Sequence, residues 1–196
     1  MTKLLGNLSK GKILIVSAPA GTGKTTLVRR LMDEFPDFVV QSISCTTRPP
    51  REGEIDGKDY VFLTEKAFEK RKASGDFLEY ATVFNYQYGT LKERVEEQRS
   101  MGKHVALVID TQGALKLQKE VQDALYIFIK PPAIEVLKER MENRKTETQE
   151  VMQQRLEWAQ HELKQAKYYD YQIVNDDLET AYQVLRSIVI AEEHKI

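Results

Sequence analysis

The chain has 196 residues, 41% of them hydrophobic and 30% charged, a balance that suits one globular core and excludes a disordered or low-complexity polypeptide. Lys and Arg number 29 against 30 Asp and Glu, a formal net charge of −1, so no basic field marks a nucleic-acid binder and any phosphate binding has to be local. A lone cysteine, Cys45, excludes an intrachain disulfide and a Cys-based metal site. No apolar stretch approaches the ~20 residues of a membrane span, and residues 1–11 lack the apolar run of a secretory signal. The expected setting is the cytoplasm, with neither membrane nor nucleic acid as partner.

In chain order, Lys12 to Ser17 is a β-branched run that leads into a loop, Ala18 to Gly23, and then into the helical spacing of Lys24 to Phe35. Phe38 to Ile43 reads as a second strand. The stretch Thr46 to Asp59, with Pro49, Pro50, Gly53 and Gly57, reads as a loop. A helix is expected over Glu65 to Ser74, followed by an aromatic, β-prone segment from Phe77 to Tyr88 with a turn at Asn85. Short apolar runs at His104 to Ile109, Ala124 to Ile129 and Tyr171 to Val174 alternate with helices near Gly113 to Glu120 and Ala133 to Met141. Arg140 to Glu150 is charged and aperiodic, and a long helix from about Gln149 to Ala166 follows. Strands alternating with helices predict an α/β fold, a parallel sheet flanked by helices. The expected organisation is a single domain with a core of about 1–43 and 91–196, a β-rich lobe inserted over about 44–90, and a mobile lid at about 140–150.

Gly21-Thr22-Gly23-Lys24-Thr25 lies between a strand and a helix, the setting in which such a run forms a P-loop. Glycines let several backbone N–H groups converge on one phosphate, and the helix start adds its positive end. Lys24 can reach the β and γ oxygens of a nucleoside triphosphate, and the Thr25 hydroxyl can ligate the Mg²⁺ that bridges them. The first glycine of the usual pattern is replaced by Ala18, which matters only where that position needs positive φ. Further on, Arg48 and Arg51 stand three residues apart on a proline-braced loop, and paired guanidinium groups suit a phosphate dianion.

Ser44-Cys45-Thr46-Thr47-Arg48, Arg51-Glu52-Gly53-Glu54 and Gly57-Lys58-Asp59-Tyr60 together resemble the guanylate kinase signature. The likeness continues through Phe77-Leu78-Glu79-Tyr80, Tyr88-Gly89-Thr90, Ile109-Asp110-Thr111-Gln112-Gly113 and Val174-Asn175-Asp176-Asp177. It implies an ATP-dependent phosphorylation of GMP to GDP, in purine nucleotide recycling and GTP supply, on a P-loop NTPase-type fold with a GMP-binding lobe. On this resemblance ATP is held by Ala18, Pro19, Ala20, Gly21, Thr22, Gly23, Lys24, Thr25 and Thr26, with Asn175. Arg48, Arg51, Tyr60 and Tyr88 hold the GMP phosphate, in a site that includes Gly89. Glu79 accepts from guanine N1–H and the 2-amino group, and the Ser44 and Thr90 hydroxyls face O6. Asp110 acts on Mg²⁺ through water or on the guanine amino group. Adenine would leave several of these partners unpaired.

The resemblance further implies that Arg140 and Arg144 on the lid, with Arg155 on the helix after it, bring cations over the transferring phosphoryl group beside Lys24. Arginines in a water-poor site stabilise the charge that spreads over the equatorial oxygens. The chain departs from its relatives at Asn143 and Lys145, which flank Arg144 where glycine is common, and at Val108, where an acidic residue is usual. His104, His161 and His194 show no metal-ligand spacing. Trp158, with Leu156 and Leu163, reads as helix core, and Cys45 as a packed thiol. A monomer and a homodimer both fit. Two rival readings are a non-catalytic guanylate-kinase-like binding module and a kinase of another nucleotide.

Overall fold

The computed structural model describes residues 3–121, 123–142 and 149–195. In chain order it contains β1 (Ile13–Ser17), α1 (Lys24–Glu34), β2 (Val39–Gln41), β3 (Cys45–Thr46), β4 (Val61–Phe62), α2 (Glu65–Ala73), β5 (Phe77–Val83) and β6 (Tyr86–Leu91). It continues with α3 (Lys92–Ser100), β7 (His104–Val108), α4 (Thr111–Glu120), β8 (Ala124–Lys130), α5 (Ile134–Glu142), α6 (Gln149–Gln165), β9 (Tyr171–Val174) and α7 (Leu178–Glu193).

The main sheet has the order β2-β7-β1-β8-β9 and is parallel throughout. Alternate residues of β1 serve opposite layers, as the two-residue period of a strand requires. Leu14 and Val16 pack with Leu27 and Leu31 of α1 and Leu185 and Val189 of α7. Ile13 and Ile15 pack with Val95 of α3, Leu117 of α4 and Tyr169. Every residue of β1 is buried, so the run is continuously apolar in sequence rather than alternating. Chain connections run to opposite sides of β1, and in such sheets the crevice beyond the carboxyl ends of the strands is where ligands bind.

The second sheet, β4-β3-β6-β5, is smaller and mixed. Cys45, Phe68, Phe77 and Leu91 form its core, with the Phe68 and Phe77 rings stacked at 4.5 Å. Phe84 and Asn85, both at positive φ, make the two-residue turn between β5 and β6, where the turn at Asn85 was expected. Burial pushes the Cys45 thiol above its usual pKa, which keeps it protonated and inert.

Several elements differ from the sequence expectation. Helix α3 lies outside every expected element, because it is polar and buries only Val95 and Arg99, leaving no apolar stripe to detect. Its Arg99 Nε donates to the Gly11 carbonyl at 2.8 Å. Strand β2 is also shorter than Phe38 to Ile43.

Candidate active site

Gly21 and Gly23 adopt φ of +88° and +89°, so the turn from β1 into α1 needs glycine at both points. The Thr22 hydroxyl donates to the Pro19 carbonyl at 2.7 Å, fixing the loop from within. Ala18 is buried and is not among the residues at positive φ, so alanine stands there without backbone strain. The Lys24 ammonium donates to the Ala18 carbonyl at 3.2 Å, and Thr25 and Thr26 are exposed on the first turn of α1. Asn175 is buried. Its Nδ2 donates to the Thr22 carbonyl at 2.6 Å, and a β-carbon on Gly23 would come within 2.6 Å of it. These contacts make Asn175 a brace on the cradle.

The opposite wall belongs to the smaller sheet. A register shift in the β5–β6 pair between Phe77 and Glu79 turns the Glu79 carboxylate inward, as bulges beside sites commonly do. Glu79 is 7% exposed, and burial pushes its pKa up to about 7, against the opposing hydrogen bond from Thr90. The Thr90 hydroxyl donates to Glu79 Oε1 at 2.7 Å. This bond orients the Glu79 carboxylate. Gly89 is buried against the Phe77 and Phe68 rings.

Arg48 is 8% exposed. Its Nη2 donates to both Glu54 oxygens at 2.7 and 2.9 Å, and its Nη1 to the Pro49 carbonyl at 2.8 Å. Arg51 N also donates to Glu54, at 2.7 Å. Glu54 thus holds the arginine loop in shape, and its own pKa is lowered chiefly by the Arg48 hydrogen bond. The Arg48 guanidinium lies 5.3 Å over the Tyr60 ring, and Tyr60 meets Tyr88 edge-on at 6.1 Å.

A cavity of about 260 Å³ between these walls is lined by Lys24, Arg48, Arg51, Tyr60, Glu79 and Tyr88, together with Ala18, Ala20, Ser44, Asp110 and Arg155. Half of the expected residues therefore converge on its lining. Arg140 is not part of this lining; its Nη2 donates to the Asn175 carbonyl at 3.2 Å. Arg144, Asn143 and Lys145 lie outside the described residues.

The same cavity is lined by Phe84, Trp158 and Glu162, which the sequence reading missed. Trp158 lines this cavity rather than only a helix core. Glu162 is 5% exposed. Burial pushes its pKa up to about 8, with Lys24 pulling the other way. Arg155, Trp158 and Glu162 are spaced three and four apart on α6, one face of a helix. That spacing was available in the sequence, but without knowing which face meets the cavity it looks like an ordinary half-polar helix.

A larger cleft, about 740 Å³, lies at the amino ends of the strands and includes Lys12, Tyr126, Asp170 and Glu192. Its polar groups bond one another: Lys12 to Glu192 at 3.3 Å, Tyr171 to Glu192 at 2.9 Å and the Tyr126 amide to Asp170 at 2.8 Å. Size aside, it lacks the converging groups of the smaller cavity.

A family model described as guanylate kinase matches residues 10–192. A guanylate kinase of Protochlamydia amoebophila is 59% identical over 191 residues, covering 97% of this chain and 96% of that one. One of Chlamydia muridarum is 48% identical, covering 94% and 90%. Among solved structures, guanylate kinase from Anaplasma phagocytophilum superposes with a TM-score of 0.79 at 34% identity, covering 95% of this chain and 88% of that one. With similarity running from before β1 to within α7, and with a cradle and an acceptor wall meeting in one cavity, the chain belongs to the guanylate kinase family.

Proposed function

We infer that this chain transfers the γ-phosphoryl group of ATP to GMP, giving ADP and GDP. The observation that carries the reading is the placement of a buried, guanine-competent carboxylate, Glu79, in the same cavity as the cradle lysine, Lys24. A phosphate oxygen of GMP attacks the γ-phosphorus, the bond to the β,γ-bridging oxygen breaks, and the electron pair leaves with ADP. Little covalent chemistry is asked of the protein, so holding the two phosphates in line and stabilising spread charge supply most of the acceleration.

In this assignment the residues from Ala18 to Thr26 receive the ATP phosphates, and Asn175 supports the loop from behind. Lys24 follows the transferring group. Arg155 reaches it from α6, and Arg140 and Arg144 are assigned to supply further positive charge. Arg48, Arg51, Tyr60 and Tyr88 bind the GMP phosphate. Glu79, kept in orientation by Thr90, accepts from guanine N1–H and the 2-amino group, while Ser44 offers a hydroxyl to O6.

Among the described residues no group of three His, Cys, Asp or Glu side chains forms a dedicated metal cage. That fits Mg²⁺, which keeps its waters and binds through one or two protein oxygens plus the phosphates. The exposed Thr25 hydroxyl would hold the ion, which would supply positive charge against that developing on the ATP phosphates. Asp110, beside Glu79 and Glu162, is placed on the acceptor side.

The proposed arrangement is a single domain, its acceptor lobe inserted over about 44–90 and its lid at about 140–150. No helix among the described residues is long and apolar enough to cross a membrane, and we place the enzyme in the cytoplasm as a monomer or homodimer. ADP formation with GMP, AMP, CMP and UMP under identical conditions tests the reading. Turnover with GMP alone supports it. Equal rates across the panel point to a kinase of another specificity, and no turnover points to a binding module.

A further inference from the structure

The hairpin that carries the acceptor wall ends on a residue its turn does not favour. Phe84 and Asn85 are the two central residues of the β5–β6 turn, at φ of +46° and +70°. Such turns favour Asn, Asp or Gly at both points, and the β-carbon of a bulky aromatic residue is poorly accommodated there. Phe84 is also 44% exposed and lies outside the small core of its own sheet, so neither the turn nor that core calls for a phenyl ring. Its ring contacts are on α6. The Arg155 guanidinium sits 5.5 Å from the centre of the Phe84 ring, and the Trp158 ring meets it edge-on at 6.4 Å and 62°. His161 in turn stacks with Trp158 at 5.5 Å and 26°.

Arg155 and Trp158 are three residues apart on one face of α6, and both line the cavity together with Phe84. The tip of the acceptor lobe is therefore seated on the helix that brings an arginine to the transferring phosphoryl group. That arginine has reason to need a seat. Lys24, Arg48 and Arg51 line the same cavity, and their like charge, with the rotamer freedom of a long side chain, favours its swinging out to solvent. A carboxylate that holds an arginine cancels part of its charge. An aromatic face within about 6 Å attracts a guanidinium without cancelling that charge and without occupying the donors in its plane. The edge-on indole limits how far the phenyl ring can turn.

We propose that Phe84 is a positioning residue for Arg155: the phenyl ring at the hairpin tip holds the guanidinium over the cavity, so that one contact sets the acceptor lobe and a phosphoryl-transfer cation together. Phe84 acts through Arg155 rather than on either nucleotide, and Trp158 keeps the ring in place. The proposal rests on the reading of Arg155 as a group that meets the transferring phosphoryl.

The test is a kinetic cycle of Phe84→Asn, Arg155→Ala and the double variant, with Phe84→Tyr as the conservative control. Asparagine suits positive φ at the first turn position, so Phe84→Asn should keep the melting temperature while removing the ring. Its kcat for ADP formation with GMP should fall about five- to tenfold, with KM for GMP and for ATP changed less than about twofold, because the contact disturbed is one made in the transition state. Phe84→Tyr retains the aromatic face and should keep kcat within about twofold of the wild type. In the Arg155→Ala background Phe84→Asn should have no further effect, since the residue it acts through is gone. A Phe84→Asn variant with wild-type kcat, or with its loss in KM alone, overturns the proposal. So does a Phe84→Tyr loss as large as that of Phe84→Asn, or an undiminished Phe84→Asn loss in the Arg155→Ala background. In each of these cases GMP is still turned over and the function stands. If the wild-type protein turns over no GMP, the function and the proposal fall together.

Discussion

Glu79 Oε2 lies over the α-carbon of Gly113, in space that a β-carbon at that position would enter. A residue of the acceptor lobe and the third residue of α4 thus share one volume, and glycine is what leaves room for the carboxylate. Gly113→Ala should therefore separate fold from function. Alanine favours a helix over glycine by about 0.5–1 kcal/mol, and the atom in its way is the movable end of a side chain, so the melting temperature should hold. The displaced carboxylate should lower kcat/KM for GMP about tenfold and leave the KM for ATP alone. Unchanged GMP kinetics would show that Glu79 has no fixed position to lose.

Removing the carboxylate charge is the sharper test. Glu79→Gln replaces one of two acceptors with a donor, and a fall in kcat/KM for GMP of about 10²-fold is expected, with little change for weakly accepted AMP. The pH profile carries the same information. Burial raises the Glu79 pKa to about 7, and the protonated form is a poorer partner for N1–H. Wild-type kcat/KM for GMP should then rise from pH 6 to 8 with an apparent pKa near 7, and Glu79→Gln should lose that limb. Glu162 titrates higher, at about 8, so Glu162→Gln should keep it. The linkage to stability has the opposite sign: a carboxyl with a raised folded-state pKa contributes stability fully below pH 4.5, and that contribution is lost as pH climbs towards 7.

The cradle and the main sheet were legible because both rest on local signals. Gly21, Gly23 and Lys24 are consecutive, and β1 is a buried run of Ile, Leu and Val. The acceptor residues came in an ordered set whose likeness to one family extends over most of the chain. What stayed hidden depends on tertiary pairing. The Thr90 hydroxyl could as well have faced a ligand as the Glu79 side chain beside it, and nothing in Tyr88-Gly89-Thr90 decides between them. Asn175 braces Thr22 from 153 positions away. Trp158 fits a helix core by spacing, and only the position of α6 over the cavity shows its other face.

Lys24→Ala should keep the fold and lower kcat by at least about 10²-fold, equivalent to ~2.7 kcal/mol of barrier. The lysine is half-buried and its ammonium bonds a loop carbonyl, so its loss removes charge from the cavity without opening the core. Circular dichroism and melting temperature check the fold, and steady-state ADP formation checks the rate. Turnover within a few fold of the wild type would remove Lys24 from the mechanism.

The last expectation concerns stability at the far end of the main sheet, where His104 and Glu193 are buried together. The Lys12 amide donates to His104 Nδ1 at 3.1 Å, so that nitrogen carries a lone pair and the proton sits on Nε2, which donates to Glu193 Oε2 at 2.7 Å. The imidazole is neutral, and burial accordingly lowers its pKa below the usual 6.5, Glu193 opposing only in part. Burial alone would raise the Glu193 carboxyl, but the Asn7 amide and His104 outweigh it and the pKa is lowered. With a lowered folded-state pKa, His104 contributes stability that is present above pH 6.5 and is lost as pH falls below it, while the Glu193 share goes only below about pH 4.5. The melting temperature should therefore drop between pH 7.5 and 5.5. His104→Gln can accept from Lys12 and donate to Glu193 without titrating, so it should flatten that drop. His104→Leu strands a buried carboxylate and should cost about 3 kcal/mol at pH 7.5, a loss of roughly 6–12 °C for a chain of this length. A His104→Gln variant that keeps the full acid sensitivity of the wild type would place the responsible group elsewhere.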